Sequence, residues 1–403
     1  MNKIRIKNFG PIKEGYTENN GWMDINKVTV FIGNQGSGKS TVAKLISTFS
    51  WIEKAIYRGD LDSSLSQVEI ENILKFQRIE KYINKNTFIE YEGDALKIRF
   101  TKDNRPPHFE RLKETGFKVP QIIYIPAERN FLTTVKNPNG IKGLPETLKS
   151  FAVEYRYAQE RFGNKELDVY IGDVKYKYNT GNDTTYIIGK DYQLEITDVA
   201  SGYQSYIPMY LVSKYLYENI EQGVRMIDVD QQIRRGKEKD DILLNKALSS
   251  DEIVDAIKLV DEKYKNFCFL NIVEEPELNL FPDSQWEMLK RLLYFNGKLD
   301  ENKLILTTHS PYIINYLSLA VEAASLKKRI TDKKMMDKLN DIVPLTSTVD
   351  AEDLVIYQMN EEKGTINKLG DYDGIPVDTN FLNNSLVKGN STFDALLELE
   401  QEL

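Results

Sequence analysis

The run Gly33-Asn34-Gln35-Gly36-Ser37-Gly38-Lys39-Ser40 follows the pattern G-x-x-x-x-G-K-[ST]. It constrains the chain more than any other feature, because the pattern works only where a strand hands over to a helix. Val28-Thr29-Val30-Phe31-Ile32 before it is a short apolar, β-branched stretch, and Thr41-Val42-Ala43-Lys44-Leu45-Ile46 after it reads as the opening of a helix. The glycines let backbone N–H groups converge on a phosphate, and Lys39 neutralises the β- and γ-phosphates. The Ser40 hydroxyl suits Mg²⁺, and the helix N-terminus, with Thr41 in its first turn, adds partial positive charge. Residues 33–41 therefore form a cradle for a nucleoside triphosphate.

Composition narrows what surrounds the cradle. With 403 residues, 41% hydrophobic and 28% charged, the chain is long enough to bury a sizeable core. A net charge of −8 excludes broad, non-specific affinity for nucleic acid, which needs clustered Lys and Arg, and leaves room only for a local basic patch. One cysteine, Cys268, sits in an apolar run; it leaves no disulfide and no cysteine metal cluster, and its expected role is core packing. No stretch approaches the ~18 apolar residues of a membrane span, and Met1-Asn2-Lys3-Ile4-Arg5 leads into a strand rather than a signal peptide. A soluble, cytoplasmic protein with no membrane partner is expected.

Along the chain, Ile4 and Ile6 alternate with Arg5 and Lys7 before the Asn8-Phe9-Gly10-Pro11 turn. Residues 61–83 carry a helical pattern. Phe88–Tyr91 and Leu96–Phe100, joined through Gly93-Asp94, read as a hairpin that Asp103-Asn104-Arg105-Pro106-Pro107 ends. A strand over Gln121–Ile125, a helix over Leu144–Phe162, a β-rich insertion over Asp168–Thr197 and an aromatic-rich helix over Ser205–Ile220 follow. Arg234–Asp241 reads as a charged, exposed loop. No stretch sustains three or four heptads with an apolar seam, so a long coiled-coil arm is excluded.

Later motifs carry the chemistry. Phe267–Val273 is an apolar run typical of a buried parallel strand, and it delivers Glu274-Glu275-Pro276-Glu277 at its C-terminal end. Glu274 is placed to hold Mg²⁺ directly or through water, and Glu275 to orient or deprotonate an attacking water. Leu304–Thr308 forms another short strand that ends in His309-Ser310-Pro311; His309 is one of two histidines and is suited to bond the γ-phosphate or the water. The other, His108, has no partner in sequence. Ala200-Ser201-Gly202-Tyr203-Gln204-Ser205 opens the aromatic helix, and such a start is either a plain N-cap or an anion-binding terminus.

The order of phosphate loop, Ser-Gly-x-Gln helix start, Glu-Glu-Pro-Glu strand and Thr-Thr-His-Ser-Pro strand resembles the ATPase head of the ATP-binding-cassette superfamily, in its SMC/RecF/OLD-like branch. The resemblance covers most of residues 1–320. It implies a mixed α/β P-loop NTPase fold: an ABC ATPase head with a mixed central sheet, an antiparallel β subdomain and a helical signature lobe. It further implies ATP and Mg²⁺ as ligands, ATP hydrolysis, and head-to-head dimers in which Ser201, Gly202 and Gln204 approach the nucleotide of the opposite subunit. Leu278-Asn279-Leu280-Phe281-Pro282 would line that dimer interface. Ile125-Pro126-Ala127-Glu128-Arg129 resembles a segment of the compact OLD-like ATPases, its role left open, and no metal-contacting glutamine is carried over onto Gln121. Phe9 corresponds either to an adenine contact or to an ordinary core residue. Two departures stand out: Glu274 where most cassettes carry Asp, and Tyr203 in place of the second glycine of the transporter signature.

The expected organisation is a head over 1–320, with insertions at about 51–120 and 144–198, and an extension over 321–403 packed on it. That extension should hold a helix over Tyr312–Leu317 leading into it, a charged helical stretch containing Lys327-Lys328-Arg329 and Lys333-Lys334, a hairpin from Leu354–Tyr357 and Gly364–Ile366, and an acidic helix over Thr392–Leu403. Asp371-Tyr372-Asp373-Gly374 lacks the upstream strand ending in glutamate that a Toprim nuclease needs. The resemblance thus points to an ATPase subunit that senses or controls a separate effector, a nuclease or toxin, in antiphage defence or DNA surveillance. The alternatives are a RecF-like repair ATPase that binds DNA directly and, behind it, a transporter's nucleotide-binding subunit.

Overall fold

Seven strands form the central sheet of the computed structural model, which describes residues 2–103, 105–135, 138–223, 229–245 and 247–401. They are β1 (Gly15–Tyr16), β2 (Val28–Gly33), β3 (Pro120–Ile125), β4 (Cys268–Glu274), β5 (Lys303–Thr308), β6 (Leu354–Asn360) and β7 (Thr365–Lys368), in the spatial order β1-β7-β6-β2-β5-β4-β3. The five strands from β6 to β3 run parallel, whereas β7 is antiparallel to β6. Pairing of Thr308 with Ile32, Glu274 with Thr307 and Val273 with Ile125 brings the C-terminal ends of β2, β5, β4 and β3 to one edge, where open α/β sheets bind ligands.

Alternation along β2 explains how the sheet is covered on both faces. Val28, Val30 and Ile32 enter a core shared with α2 (Glu146–Phe162), α3 (Ser201–Glu221), α4 (Pro282–Gly297) and α5 (Pro311–Arg329). Phe31 points the other way, into a core with Val42, Ile46 and Phe49 of α1 (Lys39–Arg58). That second core continues through Ile4 and Ile6 into a five-stranded antiparallel lobe, ordered Met23–Ile25, Asn2–Phe9, Ile83–Glu92, Leu96–Thr101, His108–Arg111. A four-stranded antiparallel sheet from Leu167–Asp168, Lys175–Asn179, Thr184–Ile188 and Gln193–Glu195 follows α2. This is the expected mixed α/β P-loop NTPase architecture. No helix among the described residues is long and apolar enough to cross a membrane.

Several local expectations are corrected. Residues 234–241 are not a loop but part of a helix, Val229–Leu244. Its charges pair with the neighbouring helix Ser250–Lys263: Arg235 and Lys239 meet Asp261, and Glu238 meets Lys263. The helix expected over 61–83 is confined to Gln67–Phe76, started by a Ser66–Glu69 capping box and followed by Arg78 in a left-handed conformation. The helix expected over 312–317 runs on to Arg329, because Leu317, Ala320, Val321 and Ala324 keep burying one face. The acidic C-terminal helix starts earlier, at Phe381, and reaches Gln401; residues 402–403 lie outside the described residues, as does Asn104 of the hairpin's terminating run. The expected Leu354–Ile366 hairpin forms, but its first strand β6 pairs with β2 from Leu354–Val28 to Met359–Gly33. The central sheet therefore takes strands from both sides of residue 320.

Candidate functional site

At the edge where β2 ends, the loop 33–38 turns into α1. Gly38 is the N-cap with φ +99°, a conformation that favours glycine, and no side chain caps the helix, so its first N–H groups stay open to an anion. Lys39 is 5% exposed, and its Nζ donates to the Gly33 and Asn34 carbonyls at 2.8 and 2.9 Å. Burial pulls the Lys39 ammonium down to about 8, against the opposing fields of Glu275, Glu277 and Glu361. Asn34, Gln35 and Gly36 are exposed at the tip, while Ser40 is half-buried and Thr41 buried in the first turn. Asn34 Nδ2 donates to the Glu361 carboxylate, which follows β6.

The next two strands deliver Glu274, Glu275 and His309 to the same edge. Glu274 closes β4, is buried, and has Oε2 3.4 Å from the Ala127 N–H. Glu275 follows in a left-handed backbone conformation, φ +43°, while its N–H still donates to the Thr307 carbonyl at 2.9 Å. For a non-glycine residue that conformation is uncommon and concentrates at functional sites. From β5, His309 reaches the same place. Its N–H donates to Glu277 Oε1 at 2.8 Å and its Nε2 lies 3.5 Å from Glu275 Oε1. The His309 contact, with help from Lys39 and Arg129, holds the Glu275 carboxyl below its usual range, whereas burial pushes Glu277 up. Neighbouring carboxyls driven apart in this way can take different jobs.

The candidates thus fall into two groups. The phosphate loop, Lys39, Ser40, Glu274, Glu275 and His309 share one sheet edge. Ser201, Gly202 and Gln204 begin α3, and among the described residues no hydrogen bond joins them to residues 33–41. The Gln204 side chain donates instead to the Ile196, Thr197 and Val199 carbonyls, each at 3.1 Å, which fixes the segment entering α3. Phe9 is fully buried and packs edge-on against Tyr82, so the core reading holds for it. Gln121 sits at the opposite, N-terminal end of β3 and bonds Asn266.

The sequence pointed to no role for Glu277 or Glu361, placed Asn279 only in the loop expected at the dimer interface, and left Arg129 open. The fourth residue of Glu-Glu-Pro-Glu was a signal for Glu277; Glu361, more than 300 residues from Asn34, gave none.

The donor set fits a magnesium nucleotide. Ser37 Oγ, Thr307 Oγ1 and Glu277 Oε2 are buried polar atoms at this end with no hydrogen-bond partner within the chain. Among the described residues no three His, Cys, Asp or Glu side chains cluster to cage a metal. Mg²⁺ requires no such cage, since it commonly takes one or two protein oxygens with phosphate oxygens and water; Ser40 and Glu274 supply that number.

Residues 141–314, less than half of the chain, match a family model described as an AAA ATPase domain. The matched span holds Ser201, Glu274, Glu275 and His309, and the phosphate loop lies N-terminal to it. No curated protein matches the chain. Among solved structures it is similar to an SMC head domain from Thermotoga maritima, at 11% identity over 92% of this chain and 98% of that one, with a TM-score of 0.37. A Pyrococcus furiosus Smc head bound to the C-terminal domain of ScpA gives 11%, 91%, 96% and 0.36. A dimeric ATP-binding cassette bound to ADP and phosphate gives 12%, 92%, 100% and 0.32.

Proposed function

We propose that the chain hydrolyses ATP at this edge and uses the cycle to control a separate effector. The observation that carries the reading is the convergence of Lys39, Glu274, Glu275 and His309 from three adjacent parallel strands, with His309 3.5 Å from Glu275. In this reading Lys39 leaves its loop carbonyls to bind the β- and γ-phosphates, and the open N–H groups of α1 hold the β-phosphate. Ser40 and Glu274 would hold Mg²⁺, which would supply neutralisation of the phosphate charge. Glu275 orients a water and accepts its proton as the water oxygen bonds the γ-phosphorus and the β–γ bridging bond breaks. His309 steadies the Glu275 carboxylate. Ser201 and Gly202, unused by the same chain's phosphate loop, meet the nucleotide of a second copy, so that ATP closes a head-to-head dimer and hydrolysis opens it.

Turnover and sedimentation in Mg-ATP test this together. The wild type should hydrolyse ATP and dimerise with it; Glu275→Gln should lose roughly 10²- to 10⁴-fold in kcat and stay dimeric. Equal turnover by the two proteins would remove the catalytic assignment. Capture of Glu275→Gln from its native cells in Mg-ATP then identifies what it controls. A stoichiometric nuclease or toxin-like partner supports effector control, and bound DNA without a protein partner supports direct DNA repair.

A further inference from the structure

Arg129, the last residue of the Pro126-Ala127-Glu128-Arg129 run after β3, is 0% exposed, and no carboxylate accepts from its guanidinium among the described residues. Instead five carbonyls do. Nε donates to Ser205 at 2.9 Å, Nη1 to Pro126 at 3.2 Å and Glu274 at 2.7 Å, and Nη2 to Glu275 at 2.7 Å and Pro276 at 3.4 Å. Those are all the N–H groups that a guanidinium has. A fully buried cation bonded only to backbone is uncommon, and its charge is balanced at longer range by Glu274, Glu275 and Glu277. Burial draws it down to about 10, which leaves it charged at neutral pH.

The five acceptors belong to three separate parts of the chain. Three of them flank or include Glu275, whose left-handed backbone must be held by its surroundings. One belongs to Ser205, a turn beyond Ser201 and Gly202 in α3. The same Ser205 offers its Oγ to Asn279 Nδ2 at 2.9 Å, a second tie between the start of α3 and the loop after the carboxylates. Ser205 is itself fully buried, so neither bond is exchanged for water. A planar fork with fixed geometry transmits a displacement of α3 directly to the peptide planes on both sides of Glu275.

We propose that Arg129 is a positioning residue that couples the N-terminal turn of α3 to the backbone of Glu275, so that ligand contact at Ser201 and Gly202 sets where the catalytic carboxylate stands. This rests on the reading that α3 meets nucleotide in the closed dimer. It makes hydrolysis conditional on the second copy: without contact at Ser201, ATP is held and Glu275 is out of place.

A double-variant cycle tests the coupling, since spatial intermediacy alone does not establish it. Arg129→Lys keeps the charge and loses the fork. It should bind Mg-ATP within about twofold of wild type and keep KM, but lose tenfold or more in kcat. Ser201→Arg should also slow kcat, and the combined variant should be no slower than the slower single one. If the two losses multiply, or if the loss in Arg129→Lys only follows its folded fraction by calorimetry, the coupling is wrong. If Arg129→Lys does not fold, Asn279→Ala cuts the parallel tie and takes its place in the cycle. Should the wild type bind Mg-ATP but not turn over, the hydrolysis reading fails on its own. Hydrogen exchange then decides the coupling: Mg-ATP protection at residues 274–280 that Arg129→Lys abolishes supports it, and unchanged protection overturns it.

Discussion

His309 touches two glutamates in two different ways: its backbone N–H donates to Glu277 Oε1 at 2.8 Å, and its ring Nε2 stands 3.5 Å from Glu275 Oε1. The first bond fixes where the histidine sits, and the second lowers the Glu275 carboxyl. At 3.5 Å the ring contact is long for a hydrogen bond and has room to tighten when substrate arrives.

Removing the ring should therefore move the acid limb of the pH–rate profile. In the proposed mechanism Glu275 must be ionised to accept a proton, and the His309 contact holds its carboxyl below the usual glutamate range. His309→Ala returns it upward, so activity should be lost at a higher pH than in the wild type, with kcat down by roughly 10- to 100-fold. Coincident acid limbs in the two proteins would show that His309 does not act through Glu275.

Lys39 should set the alkaline side of the same profile. With its ammonium drawn to about 8 by burial, the free protein should lose cradle charge as pH rises through 8, and kcat/KM for Mg-ATP should fall there. Bound phosphates favour the charged form, so kcat at saturation should hold to higher pH than kcat/KM. A parallel fall of both would argue against Lys39 as the titrating group. Lys39→Ala should abolish measurable ATP binding by calorimetry.

Gly202 lies against the loop after the carboxylates. A β-carbon there would stand 2.9 Å from the Asn279 carbonyl and 3.4 Å from Leu280 Cδ2. Gly202→Ala must push α3 away from that loop, so turnover should drop by about tenfold while the melting temperature falls by only a few degrees, the response expected of roughly 1 kcal/mol. Wild-type turnover in this variant would mean that the α3–loop spacing is unimportant to catalysis.

Glu53, away from the site, makes stability depend on pH. It is 1% exposed in α1 and accepts from Tyr91 Oη and the Ala95 and Leu96 N–H groups, yet burial raises its carboxyl to about 7. The folded pKa lies above the unfolded one, so the contribution is complete below about 4.5 and is lost as pH rises through 7, on the order of 3 kcal/mol in total. Glu53→Gln should remove that slope, and its melting temperature should gain on the wild type between pH 5 and pH 8. Parallel melting curves across that range would contradict a protonated Glu53.

The covalent order of residues determined the pieces that depend on neighbours in sequence. A G-x-x-x-x-G-K-S run between an apolar strand and a helix dictates its own loop, because glycine φ angles, lysine reach and the helix N-terminus are local properties. The buried strands that carry Glu274 and His309 were legible for the same reason: continuous apolar runs of strand length read as buried parallel strands. Local pattern misled where long-range charge pairing decided, as in residues 234–241, whose helix is held by Asp261 and Lys263 on a neighbour. Only the tertiary structure placed β6 beside β2 and so Glu361 beside Asn34, and only it gathered the Arg129 acceptors from residues 126, 205 and 274–276. Backbone carbonyls carry no mark of residue type, so a side chain that recognises five of them leaves no trace in sequence until folding brings them within hydrogen-bond reach.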